Sequence, residues 1–286
     1  MLFIPGTYSS TFPNKGATCM PTHAARSVAF VLFLWLLPLT AQAQQPFVTD
    51  DADVTAKGKF HLQVSDEYDL LQRALYPAKT QNTTNVELDY GLWRGVEVGF
   101  APPLLALHSS RVVSPQTVFG VGDSTLHVKY NFLKERRGSR WPAMTISAVV
   151  QFPTGNQAKQ LGTGLTDYYL NGILQKSVSA KTKLRLNGGL LFAGNTINGL
   201  LGIRTRGRVF TGGGSLVRQF TKRLDLGAEL TGAVTSNFQL SKGQLQTLIG
   251  GNYELHKGLT FDFGLVAGRF RASPRAGAQL GFSLDF

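Results

Sequence analysis

The chain is poor in cysteine, in charge and in long apolar runs, and each shortage removes a class of explanation. Of 286 residues one is cysteine, Cys19, near the amino terminus, so neither a disulfide framework nor a thiolate metal site is open to the rest of the chain. Charged residues make up 16% against 43% hydrophobic, a balance that permits a sizeable buried core. The apolar run Val28 to Leu39 is too short for a stable transmembrane helix, and no second run is long enough either. A formal net charge of +12 raises nucleic acid as a partner, but the basic residues are scattered through turns and loops. With no basic helix and no nucleic-acid motif, nucleic acid is not expected as a partner.

What the chain has in quantity is glycine, 32 residues, and phenylalanine, 19, which suit twisted strands and turns better than helices. Arg26 precedes the apolar run, and Ala41-Gln42-Ala43 follows it with the small-x-small pattern that a signal peptidase accepts. Residues 1–43 are therefore expected to be a cleaved signal peptide, with Met20 an alternative start and Gln44 the mature start. Residues 44–57 are expected as a periplasmic segment. Within it Asp50, Asp51 and Asp53 lie close together, but the stretch lacks the glycine and distal glutamate of a calcium loop and reads as a solvated turn.

From residue 58 onward the pattern has a period of two. In Arg275 to Phe286, Ala276, Ala278, Leu280, Phe282, Leu284 and Phe286 fall on one face, with Gly277, Gln279, Gly281, Ser283 and Asp285 on the other. Leu126, Val128, Tyr130 and Phe132 alternate in the same way with Thr125, His127, Lys129 and Asn131. Similar segments recur to give about twelve strands, an even number of the kind found in bacterial barrels. Their connections alternate between short, as at Gly91 to Gly95, Thr221 to Arg223 and His256 to Gly258, and mostly longer, as at Asp69 to Gln81, Ala101 to Val121, Pro153 to Gly164, Asn195 to Arg206 and Thr235 to Lys242. That asymmetry, with aromatics such as Tyr90, Trp93, Trp141 and Phe286 at strand ends, predicts an all-β fold: a transmembrane antiparallel up-and-down β-barrel over residues 58–286. An open sheet edge is not tolerated in lipid, so such a sheet must close.

Several short blocks carry a family resemblance. Pro46-Phe47-Val48-Thr49-Asp50-Asp51, Gly120-Val121-Gly122-Asp123 leading into Lys129-Tyr130, Pro153-Thr154-Gly155, Gly162-Thr163-Gly164 with Asp167-Tyr168, and Gly212-Gly213-Gly214 together resemble the outer-membrane family named for the meta-pathway of phenol degradation. The resemblance implies a barrel in the bacterial outer membrane that takes up hydrophobic or aromatic compounds, and it supplies no site residues. Expected partners are outer-membrane lipid and lipopolysaccharide, the barrel-assembly machinery through the strand ending at Phe286, and a small-molecule solute.

Parity places His61, Glu67, Glu87, Asp89, Glu97, His127, Lys129, Asp167, Arg185, Asp225, Glu229 and Asp262 in the lumen, since a basic residue on the lipid face costs about 2–4 kcal/mol at mid-membrane. These residues either line an aqueous path or pair with one another and fill a narrow barrel. Gly120-Val121-Gly122 is too short for a dinucleotide fingerprint, and the Gly212 tract lacks the lysine of a phosphate loop. No Ser and His pair with catalytic geometry is visible, so no enzyme, cofactor or metal is expected. The expected function is a channel for passive uptake of small, hydrophobic or aromatic solutes. The alternatives are a structural or adhesive barrel with partner-binding loops, or a lipid-modifying barrel enzyme.

Overall fold

The computed structural model describes residues 46–136, 138–193, 207–235 and 243–286. The expected signal peptide, its cleavage site, the loop Asn195–Arg206 and all but the first residue of Thr235–Lys242 lie outside the described residues. Among the described residues fourteen strands run antiparallel: β1 Phe60–Leu70, β2 Ala78–Trp93, β3 Val96–Ala101, β4 Pro103–Ser109, β5 Thr117–Val121, β6 Thr125–Leu133, β7 Ala143–Gln151, β8 Asp167–Ser179, β9 Thr182–Ala193, β10 Gly207–Gln219, β11 Leu224–Thr235, β12 Gln244–His256, β13 Leu259–Gly268 and β14 Ala276–Asp285. Each pairs with its neighbour in sequence, except that β3 pairs with β6 across the β4–β5 hairpin, and β1 pairs with both β2 and β14. The sheet therefore closes on itself as a barrel of 12 staves.

Two of those staves are broken. β2 pairs along its second half with β3 and along its first half with β4, while β5 extends β6 in the same manner. Pro102 stands at the first break and Gly122-Asp123-Ser124 at the second. The stretch Ala101–Val121, expected as one long external loop, is thus mostly a strand hairpin that prolongs the wall. Pro102-Pro103 and Gly120 read as loop signals, and Leu104 and Leu105 are apolar on both faces, so no alternation marks the strands.

The radial distribution of polarity is inverted relative to a soluble protein. Buried residues include His61, Gln63, Asp89, Glu97, Lys129, Thr145, Asp167, Glu229, Asp262 and Ser283, while Leu230, Ile249, Leu265, Leu280 and Phe282 are more than half exposed. So large an apolar surface is stable only against lipid. Short turns gather at one end, where Arg94-Gly95, Ala180-Lys181 and Lys257-Gly258 join strands, and the start of β1 and the end of β14 lie there too, with Phe60 and Phe286 stacked at 5.5 Å between ring centres and Phe60 against Tyr90 at 4.8 Å. The opposite end carries the longer loops, among them residues 152–166.

Candidate functional site

Residues 46–57 form a strap inside the barrel, on the side of the short turns, in place of the solvated turn read from the sequence. Aspartates at this density read as water-facing; here the inward cations compensate them. Pro46 lies over Gly250 and Gly264, where a Cβ would come within 2.9 and 3.3 Å of the proline ring, and Phe47 packs with Val217 and Leu248. Glycine at these wall positions leaves the room that the strap occupies.

Polar contacts hold the strap along its length. The Glu229 carboxylate accepts from the backbone amides of Val48, at 3.1 Å, and Thr49. Lys129 Nζ donates to Asp50 at 2.9 Å, and Arg185 reaches Asp51 at 3.3 Å with both side chains buried. The Ala52 carbonyl accepts from Asn131 Nδ2 at 2.6 Å and Thr145 Oγ1 at 2.7 Å. Gln175 donates to Asp53 at 2.9 Å, and Glu97 accepts from the Thr55 amide. Beyond Ala56 the strap meets β2 at Gly91, whose carbonyl accepts from the Gly58 amide at 2.7 Å. The anchoring residues come from β3, β6, β7, β8, β9 and β11, so the strap crosses the lumen.

Above the strap the lumen changes character. A cavity of about 280 Å³ is lined by Leu105, Leu161, Tyr169, Leu191, Val209 and Ala233, with the polar side chains of Glu67, Asp69, Gln81, Asp123, Gln151 and Gln244 also on its wall. Leu161 belongs to loop 152–166, which is fastened to the wall break at Asp123. The Asp123 carboxylate accepts from the amides of Gly155, at 2.9 Å, and Thr163, and from Thr163 Oγ1 at 2.7 Å. Nearer the loop end lies a wider cavity of about 650 Å³, bordered by Leu75, Tyr76, Leu107 and Phe119 and sharing Gln81 with the first.

The chain matches no family model and no curated protein by sequence. Its fold is similar to that of the COG4313 outer membrane channel from Pseudomonas putida F1, with a TM-score of 0.60 at 17% identity over 85% of this chain and 99% of that one. The NanC porin gives 0.54 at 11% identity, covering 78% of this chain and 98% of its own, and the KdgM porin 0.54 at 8%, covering 79% and 99%. At these identities the likeness establishes the fold. The protein is a β-barrel of the bacterial outer membrane. Its short-turn end is the periplasmic one.

The twelve residues singled out from the sequence sort into separate places. Glu87, Asp89, Glu97, His127 and Lys129 form one cluster across β2, β3 and β6, with His127 3.3–3.6 Å from the three carboxylates. Arg185 and Glu229 are strap anchors, and His61 meets Asp285 at 2.6 Å. Asp262 accepts from Asn252 and Ser283 at 2.7 and 2.6 Å. Glu67 borders the apolar chamber, Asp167 is buried at the start of β8, and Asp225 lies half-buried by the periplasmic mouth near Lys183 and Arg185. The sequence reading did not single out Asn131, Thr145 and Gln175, whose neutral side chains hold the strap, or Asp123 and the apolar chamber. One signal was available: an aspartate-rich stretch directly before the first strand, in a chain whose inward face carries Lys129 and Arg185.

Proposed function

We propose that the protein is an outer-membrane channel for passive uptake of small solutes of hydrophobic or aromatic character. Solute enters at the loop end, rests in the apolar chamber and leaves past the strap. The observation that carries this reading is the division of the lumen: Leu105, Leu161, Leu191 and Val209 line a chamber directly above a strap held by charged groups. A buried leucine contact is worth about 1.5–3 kcal/mol, so a few of them suffice to hold a small aromatic molecule weakly and reversibly. The channel and porin descriptions of the similar structures, and the resemblance to the phenol meta-pathway family, support the same reading. No chemistry on the solute is required. In this reading the surroundings are lipid and lipopolysaccharide, and the assembly machinery engages β14.

The test is flux of 4-nitrophenol into proteoliposomes together with single-channel conductance, for the wild type and for a variant lacking residues 46–57. Saturable 4-nitrophenol entry in the wild type, and larger ionic steps once the strap is removed, are expected. A folded barrel that passes neither ions nor 4-nitrophenol in either form overturns the proposal.

A further inference from the structure

The lumen cluster beside the strap has more negative charge than its neighbours can balance. Glu87 and Asp89 project inward from β2, Glu97 from β3, and His127 and Lys129 from β6. Lys129 is already shared between Asp50 and Glu97. His127 Nδ1 faces Glu87 at 3.6 Å, and its Nε2 faces Asp89 at 3.3 Å and Glu97 at 3.6 Å. Four carboxylates therefore meet one lysine and one histidine, and even a protonated imidazole leaves the group negative.

A second observation points to a ligand. Asp89 has no exposed surface, yet apart from the His127 ring at 3.3 Å its carboxylate oxygens meet no donor among the described residues. Buried carboxylates without donors are costly unless they meet a cation. His61, opposite Asp89 in the β1–β2 register, is also buried; its Nδ1 lies 2.6 Å from Asp285 while its Nε2 has no hydrogen-bond partner among the described residues. The wall is cut back to make this space. A Cβ on Gly99 would fall 1.9 Å from Asp89 Oδ1 and 2.2 Å from His127 Cε1, so only glycine allows those two side chains to converge.

From these features we propose that Glu87, Asp89 and His127 bind a divalent transition cation, with zinc the closest chemical match. One ligand atom from each of the three lies within 4.8 Å of the others, and Glu97 stands beside them as a further oxygen. Imidazole nitrogen with carboxylate oxygen is a ligand set that zinc accepts, at about 2.0–2.2 Å. Two positive charges at this point would satisfy the Asp89 oxygens and offset the excess of carboxylate. The site is invisible to motif reading because its ligands come from two strands more than 35 positions apart in sequence, brought together only by the pairing of β2 and β6 on either side of β3.

The test is zinc titration of the full barrel, refolded metal-free in detergent and checked for folding by its altered migration before boiling. The expected result is one zinc per wild-type barrel, with affinity lowered by more than about tenfold in Asp89→Asn and in His127→Gln, and unchanged in Asp225→Asn. No saturable binding, or binding that both substitutions leave intact and that belongs to exposed histidines such as His256, overturns the proposal. Should neither variant refold, zinc absorption-edge spectroscopy on the wild type decides. A first shell of one imidazole nitrogen with carboxylate oxygens upholds the site, and a shell of several imidazoles or of water alone overturns it.

Discussion

The two halves of the lumen solve opposite problems within one wall. In the periplasmic half, inward glycines make room and inward ions supply partners, so a strap rich in aspartate is held by Lys129, Arg185, Glu229 and Asn131. In the loop half, β8, β9 and β10 turn Tyr169, Leu191 and Val209 inward opposite Glu67 and Asp69, and the space stays open. A charged interior demands a partner for each group, whereas an apolar interior tolerates vacancy and can take a guest. Closure and solute binding are thereby assigned to different heights of one barrel.

The sharpest way to break this contrast is Lys129→Met, which removes the buried ammonium between Asp50 and Glu97. Leaving the buried Glu97 carboxylate without its ammonium, and Asp50 of the strap without its anchor, costs about 3–5 kcal/mol, so the strap is expected to leave the lumen before the barrel itself unfolds. Larger and longer-lived ionic steps in planar bilayers, with unheated migration preserved, would show the lower half converted into an open passage. Unchanged conductance would mean that the strap is held by its apolar end at Pro46 and Phe47.

A smaller effect is expected where the loop half depends on a single charge. Asp123 fills the break between β5 and β6 and receives the donors of Gly155 and Thr163. Hydrogen bonds to a charged group contribute about 1.5–3 kcal/mol, so Asp123→Ala should free loop 152–166 without opening the strand ladder. Faster tryptic cleavage at the exposed Lys159, with conductance kept at the wild-type level, is the outcome that separates loop from strap.

Within the chamber, Leu191→Asn replaces a buried apolar side chain in the wall by a polar one of similar size. Losing about 1.5 kcal/mol of apolar contact corresponds to roughly a tenfold weaker hold on an aromatic guest. Flux of 4-nitrophenol at low concentration should fall accordingly while potassium conductance does not. Equal loss of both would show that solute and ions share one polar route.

The barrel was legible because its physics is local: alternation along Ser124–Phe132 or Arg275–Phe286 fixes which residues face lipid, and closure follows from the cost of an open edge. The strand hairpin at Pro103–Val121 was not, since both of its faces are apolar near Leu104 and Leu105 and its prolines and glycines imitate a loop. The candidate site was half legible. Parity put Lys129 and Arg185 on the inner surface, but nothing in residues 46–57 shows that their aspartates are the partners, because that pairing spans more than 75 positions and exists only once the barrel has closed around the strap. The convergence of Asp89 and His127 over Gly99 is non-local in the same way.

The smallest expected effect uses the same chemistry on the water-facing side of the wall. Lys176 meets Glu135 at 2.7 Å in the periplasmic turn after β6, a contact as short as that of Lys129 with Asp50, but with the lysine side chain 30% exposed against 2% for Lys129. Slight burial raises the Glu135 carboxyl, and the hydrogen bonds from Lys176 and the Ser177 amide outweigh it, so its pKa lies below the ordinary 4.5. A depressed carboxylate stabilises the fold above its unfolded value and loses that contribution as pH falls toward the folded one. Glu135→Gln should therefore lower stability by no more than about 1 kcal/mol at neutral pH, and the difference should vanish under strongly acidic conditions. Denaturant melts followed by tryptophan fluorescence at both pH values would measure it. A penalty as large as that of Lys129→Met would show that ion-pair geometry, and not seclusion of the lysine from water, sets the strength of the contact in both places.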